Sequence, residues 1–373
     1  MKILIATGIY PPDIGGPATY TKLLADELPQ YGVLIHVLSF GSVRRFPPGI
    51  RHMFYLFQLL RHGTGADLIY AQDTVSVGVP AAVAAFLLRK PLWVRVPGHH
   101  EWEQAVQRFG VTATLDEYLK QASSSFLLRL MRFCMKAVLS GAEQIIVPSR
   151  YLKGVVMKMG NPEQKIAVIY SSVNVPHVTK SKQELKTERG LSGRVIVSAG
   201  RLVPWKGFEA LITAFSRLHA AVPDTRLVIA GEGPLRPRLE QQVRALGCAE
   251  EVVFTGRLPQ SELFAYLTAA DVFVLNTAYE GLSHQLIEVM LLKTPIITTP
   301  VGGNPELIQD GVEGVFVPYN DAEAFAESMQ RVLEDEAYRE HLVTAAHERG
   351  LIFTSGQSVP QLLELLKQHG YRT

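Results

Sequence analysis

Cysteine is scarce in this sequence, and long uninterrupted apolar runs are missing. Only Cys134 and Cys248 occur among 373 residues, too few for a disulfide framework or a cysteine metal cage, and we expect a reducing compartment. The longest apolar run, Val77–Leu88, contains Pro80 and is shorter than the roughly 20 residues that cross a bilayer. The N-terminal segment also lacks the apolar core and cleavage site of a signal peptide. These absences predict a cytoplasmic protein with no membrane-spanning segment and no bound metal.

A complete dinucleotide fingerprint is missing as well. A dinucleotide-dependent oxidoreductase would need Gly-x-Gly-x-x-Gly after a strand and an acidic residue about 20 positions later. The chain offers only the fragment Gly231-Glu232-Gly233. We therefore expect neither redox chemistry nor a separate cofactor.

Net charge is small, but the two halves of the chain differ in sign. The total is +2. Residues 1–176 contain 18 Lys and Arg against 11 Asp and Glu, a net +7, and residues 177–373 contain the other 19 and 24, a net −5. We expect no nucleic-acid partner, and the first half is the part with the charge to lie against an anionic surface.

Apolar runs of strand length alternate with helical patterns along the whole chain. This alternation is typical of a doubly wound parallel sheet that is covered on both faces. The pattern stops in the polar interval Pro176–Gly193 and then begins again, which predicts an α/β fold with two Rossmann-like domains whose sheets face a cleft. We place them at residues 1–178 and 190–355, with a C-terminal helix at 356–373 that crosses back to the first domain. The predicted strands are Ile3–Ala6, Leu34–Phe40, Leu68–Ala71, Leu92–Val96, Gln144–Val147, Ala167–Tyr170, Val195–Ala199, Arg226–Ala230, Val252–Thr255, Val272–Leu275, Ile296–Thr299 and Val315–Val317.

Polar and small residues follow the strands of the first half. Ligands of open α/β sheets bind beyond the carboxyl ends of the strands. Gly15 and Gly16 follow the first strand and open a helix, where a backbone can approach a diphosphate closely; a plain turn is the alternative. His99 and His100 follow the fourth strand and can donate hydrogen bonds to a sugar hydroxyl or to phosphate, or they are structural histidines. No matched Ser, Cys or Asp partner for either histidine is evident from the sequence.

Two cations follow the first strand of the second half. Arg201 and Lys206 would be solvated surface charges as an isolated pair, but at a strand end they become the preferred cations for a leaving diphosphate. Arg257 and Leu258 follow the third strand of this half, where they can present backbone groups and an apolar wall to a nucleobase.

The stretch Asn276–Met290 carries two carboxylates around the start of a helix that we place near Ser283. Glu280 precedes the helix and Glu288 falls in its second turn. The unpaired N–H groups of a first helical turn attract an anion, so the stretch offers a phosphate seat with a carboxylate on each side. A sugar diphosphate fits this arrangement. The alternative is an ordinary helix whose acidic entry complements its dipole.

Several segments resemble the retaining glycosyltransferases of family four, which have the GT-B fold. AGRLVPWKG, AGEGP, FTGRLP and above all YEGLSHQLIEVMLLKTPIITTPVGGNPELIQDGVEG carry the resemblance between Val195 and Val317, and PPDIGGPATY and RVPGHHEWE carry it in the first domain. The resemblance implies a nucleotide-diphosphate sugar as donor, retention of anomeric configuration and no divalent metal. It also implies front-face transfer, in which the leaving phosphate takes the acceptor proton.

The resemblance also implies roles for individual residues. One departure is His284, since many relatives have Gly-Phe-Gly where this chain has Gly281-Leu282-Ser283-His284 after the glutamate. By this resemblance, Arg201 and Lys206 bind the diphosphate, Glu280 lies against the donor sugar, and His99, in preference to His100, has a catalytic position. Gly281, Leu282, Ser283 and His284 bind phosphate and sugar hydroxyls, and Glu288 binds the ribose. Arg257 and Leu258 border the base, and Gly15 and Gly16 approach the phosphates.

Two segments of the first half indicate a place at a membrane surface. Phe126–Leu139 puts Arg129, Arg132 and Lys136 on one helical face, and Arg51–His62 is bulky and apolar with basic ends. Both segments are suited to docking on a membrane interface. The alternative is that they are core helices with a solvent-exposed basic edge. We expect a glycan or lipid-linked acceptor, an anionic membrane surface as partner, and work in polysaccharide or glycolipid assembly on the inner face of the cell membrane. A nucleotide-sugar 2-epimerase of the same fold and a non-catalytic sugar-nucleotide-binding module are the alternatives.

Overall fold

The chain forms two compact units. The computed structural model describes residues 1–13, 15–47, 49–121, 125–176 and 178–372. The first unit consists of residues 1–173 together with 354–373, and the second consists of residues 174–353.

The first unit is a parallel sheet with helices between its strands. Its strands are β1 (Lys2–Thr7), β2 (Leu34–Ser39), β3 (Leu68–Ala71), β4 (Leu92–Arg95), β5 (Gln144–Val147) and β6 (Ile166–Val168). Its helices before the second unit are α1 (Gly16–Glu27), α2 (Ile50–Gly63), α3 (Gly78–Leu88), α4 (His100–Phe109), α5 (Leu115–Leu119), α6 (Phe126–Gly141) and α7 (Arg150–Lys158). The strands pair in the order β2-β1-β3-β4-β5-β6. β3, β4 and β5 are buried throughout, as continuous apolar runs in a covered sheet should be.

The second unit repeats this architecture. Its strands are β7 (Arg194–Ala199), β8 (Thr225–Ala230), β9 (Val252–Gly256), β10 (Val272–Leu275), β11 (Ile296–Thr298) and β12 (Val315–Phe316). Its helices are α8 (Lys182–Glu188), α9 (Phe208–Ala221), α10 (Arg236–Ala245), α11 (Gln260–Ala269), α12 (His284–Leu291), α13 (Asn304–Leu307), α14 (Ala322–Glu334) and α15 (Glu336–Gly350). The strands are parallel, in the order β12-β11-β10-β7-β8-β9. Every predicted strand is present, with ends that differ by at most two residues.

The polar interval Pro176–Gly193 contains a helix. α8 begins at a capping box, in which the side chains and backbone of Ser181 and Glu184 bond reciprocally, and this satisfies amides that a helix start leaves unpaired. The helix belongs to the second unit, and His177 of the interval lies outside the described residues.

The last helix, α16 (Ser355–Gln368), packs in the first unit. Val359, Leu362 and Leu366 are buried in the same core cluster as Ile3 and Trp93. This confirms the prediction that the C-terminal helix crosses back to the first domain. No helix in the described ranges is both long enough and apolar enough to cross a bilayer.

Candidate active site

Three loops that follow neighbouring strands of the second unit are bonded to one another. The backbone N–H of Ala278, after β10, donates to the carbonyl oxygen of Trp205, after β7, at 2.8 Å. The hydroxyl of Thr299, after β11, donates to the carbonyl oxygen of Thr277 at 2.6 Å. These bonds fix the loop that carries Glu280 to the loops on both sides of it.

Lys206 and Glu280 form an ion pair between Nζ and Oε1. The two side chains are 17% and 14% exposed, so the pair is largely shielded from solvent. Lys206 ends the short turn Pro204–Lys206, and Glu280 lies in the loop before α12. The structure thus brings into contact two residues that the sequence assigned to one donor.

Two glycines support the backbone of Glu280. The N–H of Gly303 donates to the carbonyl oxygen of Glu280 at 3.0 Å. Gly302 has a φ of +59°, and a Cβ added there would collide with that same carbonyl oxygen. A side chain at position 302 would therefore be strained in its own backbone and would also push Glu280 away.

The start of α12 lies directly after this loop. Ser283 caps the helix, and its Oγ accepts a hydrogen bond from the backbone N–H of Leu286 at 3.3 Å. Gly281 and Leu282 are buried and lead into the helix, and His284 is its half-buried first residue. A helix N-terminus carries partial positive charge, so this stretch offers backbone amides to an anion. Lys206, the ion-pair partner of Glu280, adds an ammonium group.

Glu288 is buried in the second turn of α12. Its side chain accepts a hydrogen bond from Nε2 of Gln260 at 3.3 Å. Burial raises the pKa of the Glu288 carboxyl to about 7, and the hydrogen bond from Gln260 only partly opposes this. Near neutral pH the carboxyl therefore exists in both protonation states, and a set of hydroxyl donors from a ligand would favour the ionised one.

The other predicted donor residues of the second unit lie at the surface. Arg201 follows β7 and Arg257 follows β9, and both are exposed, whereas Leu258 is half-buried. No described carboxylate lies within ion-pair distance of either arginine. Neither arginine forms an ion pair with Glu280 or Glu288, and both side chains are accessible from solvent.

The glycines predicted to approach a phosphate lie at the start of α1. Gly15 has a φ of +152°, and a Cβ there would lie 2.9 Å from Cδ1 of Ile9. Gly16 is the first residue of α1 and is followed by Pro17, which favours a helix start. Ile14, in the same segment, lies outside the described residues.

His99 and His100 begin α4. His99 is 2% exposed, and its Nδ1 accepts a hydrogen bond from the N–H of Trp102 at 3.2 Å. Burial, with the nearby charge of Arg132, lowers the pKa of His99 to about 4. The ring is therefore neutral at pH 7. Burial also lowers the pKa of His100, which is half-buried.

A buried carboxylate next to the histidines was not assigned a role from the sequence. Glu101 is fully buried and accepts hydrogen bonds from the Tyr118 hydroxyl at 2.7 Å and from Nε of Arg132 at 2.9 Å. Of the three cations predicted on one face of α6, Arg129 and Lys136 are exposed, whereas Arg132 is half-buried in its ion pair with Glu101. The sequence feature that could have pointed to Glu101 is its position in the first turn of a helix that begins at a histidine.

Two protein families match most of the chain. Residues 14–176 match Glycosyltransferase Family 4, and residues 180–349 match Glycosyl transferases group 1. An uncharacterised glycosyltransferase of Methanocaldococcus jannaschii is 33% identical over 93% of this chain and 92% of its own. A GDP-mannose-dependent alpha-(1-6)-phosphatidylinositol monomannoside mannosyltransferase of Mycolicibacterium smegmatis is 30% identical over 89% of each.

Solved structures agree on the fold. HepE of Anabaena, in complex with UDP-glucose, has a TM-score of 0.77 at 19% identity and covers 99% of this chain and all of its own. The sucrose-phosphate synthase of Thermosynechococcus elongatus has a TM-score of 0.78 at 20% identity, with 99% of each chain covered. The chain therefore belongs to the GT4-type glycosyltransferases, which have the GT-B fold of two Rossmann-like domains.

Proposed function

We propose that the protein is a retaining hexosyltransferase that moves a sugar from a nucleotide-diphosphate sugar to a glycan or a lipid-linked acceptor. The Lys206–Glu280 ion pair directly before α12 carries this proposal. It places an ammonium group in contact with a carboxylate, and that carboxylate lies in the loop that leads into a helix N-terminus. These are the groups that a diphosphate and sugar hydroxyls require.

The cations of the second unit act on the leaving group. Arg201 and Lys206 bind the diphosphate, and the backbone of residues 281–284 contributes amides. The bond between the anomeric carbon and the diphosphate oxygen breaks while the acceptor oxygen bonds to the same face of the sugar, and the leaving phosphate takes the acceptor proton. Negative charge develops on the departing oxygen, and the two cations stabilise it without a divalent metal.

The carboxylates of the second unit bind hydroxyl groups. A bound phosphate gives Lys206 a second anionic partner, which releases the Glu280 carboxylate to the hydroxyls of the donor sugar. Glu288 accepts hydrogen bonds from the ribose, and Arg257 and Leu258 border the base.

The first unit contributes hydrogen-bond donors. We assign to His99 a hydrogen bond to a sugar hydroxyl or to phosphate, with His100 beside it. Gly15 and Gly16 provide backbone without side chains, which a phosphate can approach closely.

The names of the similar proteins support a nucleotide-sugar donor and a lipid-linked acceptor. One solved structure holds UDP-glucose, and the mycobacterial relative is named for GDP-mannose and for a phosphatidylinositol acceptor. We infer a role in polysaccharide or glycolipid assembly, at the inner face of the cell membrane as a peripheral protein.

A donor screen followed by a transfer assay tests the proposal. We expect one class among UDP-, GDP- and ADP-sugars to raise Tm more than the others, and labelled sugar from that donor to enter a lipid or glycan fraction as the retained anomer. Conversion of the donor to its 2-epimer without an acceptor would show an epimerase instead. Tight donor binding with neither transfer nor hydrolysis would show a non-catalytic binding module.

A further inference from the structure

Three neighbouring helices of the first unit have apolar side chains on their outward sides. α2 packs against α3, and α3 packs against α6. Most of the exposed large hydrophobic side chains of the described residues belong to these three helices. The most exposed are Met53 on α2 (71%), Phe86 on α3 (82%), and Phe126 and Phe133 on α6 (74% and 69%).

The exposed side chains form one stripe along each helix. On α2 they include Met53, Phe54 and Phe57, and on α3 Val83, Phe86 and Leu87. On α6, Phe126, Leu130 and Phe133 follow the same spacing of three or four residues, which places side chains on one side of a helix. Each helix buries a different stripe, such as Tyr55 and Leu59 on α2. A surface helix of a globular protein is normally polar on the side away from its core, so this second apolar stripe is unexplained by packing.

The charges on these helices have one sign. None of α2, α3 and α6 contains Asp or Glu in its sequence. Arg129 and Lys136 border the exposed stripe of α6, each three residues from one of its phenylalanines. Arg61 lies four residues after Phe57, and Lys90 follows α3. None of these four cations forms an ion pair with a described carboxylate.

We propose that these outward stripes, together with Arg61, Lys90, Arg129 and Lys136, form a surface that docks on an anionic lipid bilayer; we call it the three-helix face. Apolar side chains enter the boundary between headgroups and acyl chains, and the cations bind anionic headgroups. The inference rests on the proposed function, since it puts the enzyme where a lipid-linked acceptor lies.

Charge distinguishes the bilayer from a second copy of the chain. In a twofold dimer the same patch meets itself, so this face would bring its cations together with no carboxylate of its helices to pair them. Juxtaposed like charges oppose association. An anionic bilayer satisfies both the apolar stripes and the cations.

Vesicle cosedimentation of the full chain tests the proposal. We expect binding to phosphatidylcholine vesicles with about one third phosphatidylglycerol, weaker binding to phosphatidylcholine alone, and release in high salt. The triple variant Phe57→Ser, Phe86→Ser, Phe133→Ser removes one exposed ring from each helix and should lower the partition coefficient at least about tenfold. Its control changes Phe109, Met157 and Leu246 to Ser; these are exposed apolar residues outside the face, and binding should not change.

The cations are tested separately. Arg129→Gln with Lys136→Gln should lower the partition coefficient by roughly 25-fold, since each cation near an anionic surface contributes about fivefold. Lys120→Gln with Lys367→Gln, two exposed lysines outside the face, should have little effect.

Donor binding and donor turnover, measured without vesicles, show separately whether the proposed function holds. Wild-type protein that binds a nucleotide sugar but stays in the supernatant with anionic vesicles would overturn the docking surface alone. A dimer in sedimentation velocity that the phenylalanine triple variant abolishes would also overturn it, because the face would then be an interface between copies.

Discussion

Lys206 lies in ion-pair contact with Glu280, although 74 residues separate them in the chain. Each group neutralises the charge of the other. In the function that we propose, a diphosphate replaces the carboxylate as the partner of Lys206, and Glu280 then accepts hydrogen bonds from sugar hydroxyls. Under this proposal the ion pair positions both groups for the donor, and mutation of each residue tests its role separately.

Glu280→Gln should abolish transfer and leave nucleotide binding largely intact. The amide cannot supply the negative charge that we assign to the donor-sugar site, so we expect kcat to fall at least about 100-fold. Calorimetric titration with the nucleotide diphosphate should give a Kd close to that of wild type. Glu262→Gln changes an exposed glutamate of the same unit and serves as the control. Full turnover by the Glu280 variant would refute the assigned role.

Lys206→Met should slow transfer and also weaken diphosphate binding. The variant loses a charge that stabilises the leaving group, and removal of one such donor typically costs about 100- to 1000-fold in kcat. Arg238→Met removes a cation that is 73% exposed and should leave kcat unchanged. Steady-state kinetics with a saturating acceptor make the comparison. A fall in affinity for the sugar part of the donor, with normal affinity for the diphosphate, would count against the assignment.

Glu288 should make the stability of the ligand-free protein depend on pH. Its pKa rises from an ordinary value of 4.5 to about 7 in the folded state. Between these values the folded protein holds a proton that the unfolded chain has released, so this group lowers the free energy of unfolding as pH rises through that window. The shift corresponds to about 3 kcal/mol at most.

Glu288→Gln removes this pH dependence. We expect the Tm of the variant to exceed that of wild type at pH 8 and the difference to shrink towards pH 5, while affinity for the nucleotide sugar decreases. Thermal melts at constant ionic strength provide the measurement. Glu323→Gln, at a side chain that is 76% exposed, should give a Tm difference that does not vary with pH. The same flat profile for the Glu288 variant would contradict the prediction.

The buried Glu101 should stabilise the first unit through Arg132. Removal of one partner of a buried ion pair leaves the other uncompensated, and Arg132 is still 23% exposed, so we expect Glu101→Leu to lower the free energy of unfolding by roughly 2–3 kcal/mol. The double variant Glu101→Leu, Arg132→Leu should recover part of that loss. Urea denaturation of both single variants and the double variant measures the coupling. Strictly additive losses would show that the two residues act independently.

Gly302→Ala should harm both stability and transfer. Alanine at a left-handed φ is strained by about 1–2 kcal/mol, and its Cβ would also collide with the Glu280 carbonyl oxygen. Gly311 has a similar φ of +72° with nothing within 4 Å of an added Cβ, so Gly311→Ala isolates the backbone strain. We expect Gly302→Ala to lose more stability than Gly311→Ala. We also expect kcat to fall about tenfold in the Gly302 variant and to stay unchanged in the Gly311 variant. If the two substitutions had equal effects on unfolding and on kcat, Gly302 would have no special role.

The sequence predicted the fold because strands of a covered sheet are continuous apolar runs. β3, β5 and β10 have the predicted bounds at both ends. The start of α12 was also predictable, because Ser283 has a side chain that caps helices, and this placed Glu288 in the second turn.

The contacts within the site were not predictable from the sequence in this way. The bond from Gln260 to Glu288 and the ion pair of Glu101 with Arg132 join segments 28 and 31 residues apart. Helical spacing alone puts Arg132 on the side of Arg129 and Lys136. The ion-pair partner of Arg132 comes from α4, which packs against α6 and contributes a buried carboxylate. Such pairings come from tertiary packing, which local patterns do not encode.

The placement of α16 has a consequence for synthesis on the ribosome. The second unit is one continuous segment, so all of it has been made while the last helix is still being translated. The first unit cannot bury Ile3 and Trp93 against Val359 and Leu366 until nearly the whole chain has emerged. The core of the first unit, although most of its residues are translated before the second unit, is therefore complete only after α16 has been made.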